Sequence, residues 1–191
     1  ERLHLHCQYH CMVSWIAVLR GDNHHALINA ETALKLAEET GFLFPKIICL
    51  LALANILQTS GRYDESEPYL TEALELSVKT RSPLFQFACL LSKSRCYLDQ
   101  EKARDGLRFL SRAIEIGKKN GYSGLPWWWQ PSVMAGLCAR ALGNDIESDY
   151  VSSLIKKRGI VPQQPVQNWP YPIKIYALGR FRILRDGEPM E

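Results

Sequence analysis

The sequence predicts an all-α fold of stacked antiparallel helix pairs, closed by a short C-terminal β-hairpin. Three observations predict it. A short signature recurs every forty residues, apolar residues recur at three- and four-residue steps on both sides of short polar breaks, and this helical period stops at a proline-rich stretch followed by two alternating segments. The 191 residues, 47% hydrophobic and 23% charged, suffice for one sizeable core or two small domains and are not disordered by composition. Twenty-three Lys and Arg against 20 Asp and Glu leave a formal charge of +3, too small and too dispersed to select a nucleic acid or an anionic membrane.

The signature is Ala33-Leu34-Lys35-Leu36, Ala73-Leu74-Glu75-Leu76 and Ala113-Ile114-Glu115-Ile116. The same offset aligns small residues seven positions upstream, Ala26, Ser66 and Gly106, and small residues in the preceding segment, Ser14, Ala54 and Ser94. Gly21, Gly61 and Glu101 form a further column, as do Ile16, Ile56 and Cys96. Each unit reads as two helices of about five turns, separated by Gly21-Asp22-Asn23, Gly61-Arg62-Tyr63 or the weaker Gln100-Glu101-Lys102. Glycine ends a helix by accepting the left-handed conformation, and small residues at matching positions let the paired backbones approach. A fourth, imperfect unit runs from Pro126 through Gly143-Asn144 to about Arg158. It carries Ile155 where the others have alanine, as a terminal cap does.

Between Val161 and Pro172 the prolines 162, 165, 170 and 172 exclude a helix and favour an extended path, which places a domain boundary there. The expected organisation is a repeat domain over 1–159, a linker over 160–172 and strands over 173–191. Ile173 to Leu178 and Arg180 to Leu184 alternate, and Asp186-Gly187 follows as a hairpin signal. A lone hairpin buries too little to be stable, so it must pack on the helices or belong to a larger domain. The chain opens without an initiator Met or a cleavable leader and reads as a piece of something longer.

Gly61-Arg62-Tyr63-Asp64-Glu65-Ser66, followed by Ala73-Leu74-Glu75-Leu76, resembles the turn and second helix of the tetratricopeptide repeat (TPR) family. The resemblance covers roughly 2–158 and implies a right-handed superhelix of antiparallel helix pairs. Its unit is longer than the usual ~34 residues, as in the repeats of MalT-like regulators. The third unit departs from the pattern at Lys93, where the family has an apolar residue, and at Glu101, where it has glycine. From Ile173 through Gly179-Arg180-Phe181 to Asp186-Gly187, the chain resembles the first strands of an OmpR/PhoB-type winged-helix domain of bacterial transcriptional activators. The base-reading helix of that family lies further along, so no DNA-contact residue transfers. Together the two resemblances imply a protein- or effector-binding module of a bacterial transcriptional regulator. DNA would be reached only through the domain that follows. A free-standing adaptor that binds a peptide is the alternative.

In the repeat family, the columns holding Trp15, Asn55 and Arg95, then Gln58, and then Asp99, line the concave groove. With Trp128 from the Trp127-Trp128-Trp129 run, these are the candidate partner-binding residues. His4, His6, Cys7, His10 and Cys11 include ligand types at i, i+4 spacing. However, Cys7 shares a column with Ile47 and Phe87, and Cys11 one with Leu51 and Leu91, so the thiols read as core. His24 and His25 read as a polar helix start, and Glu38-Glu39 as a solvated helix end. No phosphate loop, zinc-protease helix, nucleophile elbow or Cys-x-x-Cys pair occurs. The expectation is therefore a non-enzymatic protein with no cofactor and no metal. It places the protein in a reducing cytoplasm, away from membranes, with a protein or small-molecule effector as partner.

Overall fold

In a computed structural model the described residues are 2–124, 130–179, 181–185 and 188–190. They form α1 (Arg2–Leu19), α2 (Asn23–Thr40), α3 (Leu43–Thr59), α4 (Tyr63–Lys79), α5 (Pro83–Asp99), α6 (Ala103–Asn120), α7 (Pro131–Gly143) and α8 (Ser148–Arg158). The strands β1 (Ile173–Tyr176), β2 (Arg182–Arg185) and β3 (Glu188–Pro189) follow. This is an all-α repeat fold with a terminal β-hairpin extended by a short third strand. The chain divides into two compact units, 1–130 and 131–191.

The helices of the first unit begin and end where local chemistry requires. Asp22 caps α2 by accepting the His25 backbone N–H at 3.1 Å, which holds its carboxyl below the ordinary value, and Ser82 caps α5, which opens on Pro83. Positive φ recurs every twenty residues, at Gly21, Gly41, Gly61, Arg81, Glu101 and Gly121. The third unit thus reverses direction like the others, although Arg81 and Glu101 have a Cβ to accommodate. Short connections make consecutive helices antiparallel neighbours, and α3 and α5 also contact the helices of the pair before them.

Small residues set the spacing within pairs. Ser14 and Ala26, Ala54 and Ser66, and Ser94 with Gly106 are all fully buried, and Ser94 Oγ donates to the Gly106 carbonyl at 2.9 Å. A Cβ added at Gly106 would lie 2.6 Å from Leu98 Cγ, so this position accepts no side chain without a shift. Within and between pairs, Ile47, Leu50, Leu51 and Ala54 of α3 pack with Leu70 and Ala73 of α4 and with Phe85, Ala88, Cys89 and Cys96 of α5. Further clusters join α1, α2 and α3 through Cys7, Cys11, Ala33, Ala37, Cys49 and Ala52, and through Ala17, Ala26, Ala30, Leu53, Ile56 and Leu57. Ala33, Ala73 and Ala113 are fully buried, as their shared column predicts.

In the second unit, α7 pairs with α8. The proline-rich stretch after it has neither helix nor strand, yet Ile160 and Trp169 are buried and Tyr171 Oη accepts the Val166 N–H at 3.1 Å. The sheet has the order β1-β2-β3 and is antiparallel throughout, with Ile173 opposite Arg185 and Leu184 opposite Pro189. Asp186-Gly187 lies outside the described residues.

Candidate functional site

The polar columns of α3 and α5 do not all remain in solvent. Asn55 Nδ2 donates to the Leu51 carbonyl at 2.7 Å and to Ser92 Oγ at 3.3 Å. Gln58 Nε2 donates to the Ser92 carbonyl at 3.1 Å. Both amides are buried, so they tie α3 to α5 rather than standing free in a groove. Arg95 and Asp99 form a different group. Arg95 Nε donates to Asp99 Oδ2 at 3.4 Å, and Tyr63 Oη from α4 donates to the same oxygen at 3.4 Å. Burial, and then the neighbouring Asp99 charge, push the Tyr63 phenol up, which keeps it a donor. Trp15 is half-buried in the same column of α1, and Trp128 lies outside the described residues.

Among the described residues, Gln58 Oε1, an acceptor, and Arg95 Nη1, a donor, are buried here without a hydrogen-bond partner, as is Glu67 Oε2 on α4. Gln58 reaches across to Ser92 on α5, and Arg95 lies one helical turn beyond that serine. Nearby, a network that the sequence did not announce joins α4 to α5. Lys93 Nζ donates to Glu67 Oε1 at 2.6 Å and to Thr71 Oγ1 at 2.9 Å, and Tyr97 Oη donates to Glu67 Oε1 at 3.2 Å. Lys93 also lies 5.6 Å from the centre of the Phe109 ring. The lysine that breaks an apolar column is therefore matched by a carboxylate across the helix contact, and the third pair stacks regularly. The available signal was the coincidence of Lys93 with Glu67 and Thr71 spaced one turn apart on the facing helix.

The histidine- and cysteine-rich helix α1 separates its histidines from its thiols. Cys7 Sγ lies 3.5 Å from Cys49 Sγ and from the Ala33 carbonyl, and Cys11 Sγ lies 3.8 Å from Cys49 Sγ. His10 Nδ1 pairs with Asn29 Oδ1 at 2.9 Å, and His4 Nε2 with Gln8 at 3.1 Å. The hydrogen bond from Cys49 lowers the Cys7 thiol, and the contacts with Cys11 and Cys7 push Cys49 up. Among the described residues, no group of three or more His, Cys, Asp or Glu is arranged to hold a metal ion. A pocket of about 420 Å³ is lined by Cys7, Cys11 and Cys49 with His4, Met12, Phe44 and Ile48. Among the described residues, no helix is long and apolar enough to cross a membrane.

No protein-family model matches the sequence. No curated protein matches it. Solved structures do match. The apo form of RapI aligns at a TM-score of 0.65 and 17% identity, over 81% of this chain and 57% of that one. The TPR-like repeats of a putative kinesin light chain from Podosopora anserina align at 0.58 and 15% identity, over 78% and 72% of the two chains. A singly substituted form of those repeats aligns at 0.60 and 14%, over 82% and 74%. At these identities the likeness is one of fold: the helices are TPR-like repeats. The chain spans little more than half the length of the RapI chain.

Proposed function

We propose that the helical repeats are a non-enzymatic module that binds a protein or small effector along the α3/α5 polar line and passes its occupancy to an adjacent DNA-binding domain of a bacterial transcriptional regulator. The observation that carries this reading is the pair of unsatisfied buried atoms, Gln58 Oε1 and Arg95 Nη1, beside the Arg95–Asp99–Tyr63 group. A buried polar atom without a partner costs free energy that a ligand offering one donor and one acceptor recovers. A peptide backbone or an amide- and carboxylate-bearing effector supplies both. Asn55 and the Gln58 amide nitrogen fix the line by joining α3 to α5, and Gln58 Oε1, Arg95, Asp99 and Trp15 are the groups that meet the ligand. No cofactor is invoked. The ligand acts by preferring one arrangement of the stacked pairs over another.

The C-terminal sheet supports the DNA-linked half of this reading. Ile173, Ile175, Leu178 and Phe181 are exposed, as first strands are when the rest of their domain packs on them. The protein would then work in the cytoplasm, reaching DNA through that domain alone. The test is binding of the full-length protein to its own upstream region, with and without cell extract fractions, for wild type and Arg95→Glu. DNA binding that responds to a fraction in wild type but not in Arg95→Glu supports the proposal. No DNA binding in any condition contradicts it and leaves the peptide-binding adaptor, which the TPR-like fold also accommodates.

A further inference from the structure

The repeat register shows which face of each first helix meets the preceding pair. Cys49, Ala52 and Ile56 of α3 pack on α1 and α2, and Cys89 and Cys96 of α5 pack on α3 and α4. Exposure in these three columns is 0%, 0% and 1% in α3, and 0%, 8% and 0% in α5. The matching residues of α1 are Tyr9, Met12 and Ile16, and they are 63%, 44% and 46% exposed. Leu5, in line with them one turn earlier, is 61% exposed, although its counterparts Pro45 and Phe85 are half-buried and buried. The other side of α1 packs on its neighbours through Cys7, Cys11, Ser14 and Ala17, with Met12 at the edge of the pocket beside them. The helix is therefore apolar on both sides and covered on one, which is the pattern of an interior helix rather than a solvated end.

We infer that this face of α1 seats a further helix pair of the same forty-residue class, belonging to the same polypeptide and placed before Glu1. It would dock as α2 docks on α3. Two observations select this occupant. The first is continuity: the forty-residue translation that carries α1 onto α3 and α3 onto α5 also carries the buried alanine face of α2 onto the space beside Tyr9, Met12 and Ile16. The second is area. One 18-residue helix face, ~27 Å long and ~10 Å wide, offers roughly 300 Å², well under the ~800 Å² per partner of a stable association between separate chains. A covalently attached neighbour needs no such area, because its effective concentration is already high. The face also carries no Asp, Glu or Lys to select a charged partner. The docking helix should have small residues forty positions before Ala26 and Ala33, as Ser66 and Ala73 of α4 and Gly106 and Ala113 of α6 repeat that column.

The inference does not depend on the proposed ligand line and is tested separately. In the full-length chain, Tyr9→Cys and Leu19→Cys are labelled with a maleimide under native conditions, with circular dichroism confirming the fold. The six native cysteines of 1–191 are buried and serve as the background. Leu19 is the control, because its column stays exposed at Thr59 and Asp99. Labelling of Tyr9→Cys at least tenfold slower than of Leu19→Cys, independent of protein concentration, together with a lowered Tm for Tyr9→Lys, is the expected result. Equal labelling rates overturn the inference. So does protection that appears only as the protein dimerises, or a full-length chain with too few residues before Glu1 to form a helix pair.

Discussion

Glu101 holds a left-handed backbone, φ +61°, that Gly21 and Gly61 reach in the same column without a side chain. The cost to a residue with a Cβ is ~1–2 kcal/mol, of which glycine's greater freedom in the unfolded chain takes back ~0.5–1. Glu101→Gly should therefore raise stability by about 0.5–1 kcal/mol, read as a higher urea midpoint with an unchanged slope. Gly61→Ala has open space for its Cβ and should lose about 1 kcal/mol through backbone strain alone. Gly106→Ala is different in kind. Its Cβ meets Leu98 Cγ at 2.6 Å and the Leu98 backbone N at 3.1 Å, so overpacking of ~1–3 kcal/mol is expected from thermal melts. At this scale the sequence was legible where a residue's own conformation or size decides the outcome, as for Gly21, Gly61 and the alanine columns. It was not legible for Arg81, and at Glu101 only the repeat column marked the break, because no propensity rule makes an arginine or a glutamate a helix stop. The turns there are imposed by packing of the helices on either side.

Between elements, polar residues in the core decide how the third pair is held. Glu67→Gln leaves the Lys93 ammonium buried with its counter-charge removed. About 2 kcal/mol should be lost, below the ~3–5 typical of a fully buried pair because Glu67 is partly solvated. Lys93→Met combined with Glu67→Leu should recover most of that loss, so a double-mutant cycle by urea titration separates the pair from general packing. The sequence marked Lys93 as a break in an apolar column but not its partner, because one chain shows columns along the repeat and not contacts across it. The buried contacts of Asn55 and Gln58 were hidden for the same reason. An amide on the inner side of a repeat helix looks identical in sequence whether it faces a ligand or a neighbouring helix, and Ser92 on α5 decides for the neighbour. Arg95 and Asp99 do share a polar patch, whereas the Tyr63 hydroxyl that joins them comes from the turn residue of the family-like Gly61-Arg62-Tyr63.

For the whole chain, the forty-residue translation accounts for the order of the first six helices, their ends, their buried faces and the face left open on α1. Buried thiols add a pH limit. Burial pushes Cys89 and Cys138 up to about 12 from an ordinary 9.0, so the folded protein keeps protons that the unfolded chain releases above pH 9. Their contribution is fully present below pH 9 and is lost as pH rises toward 12. Urea midpoints should be flat in this respect below pH 9 and fall above it, with Cys89→Ala showing a shallower fall. The central claim is the register itself, in which slender side chains at fixed spacing let one pair nest on the next. Thermal melts of Ala73→Trp against Glu75→Trp test it most directly, since Ala73 of α4 is fully buried in the cluster it shares with α3 and α5 while Glu75, two residues on, is exposed. The nested register predicts a loss of ~1–3 kcal/mol or more for Ala73→Trp and almost none for Glu75→Trp; equal melting temperatures for the two variants would contradict it.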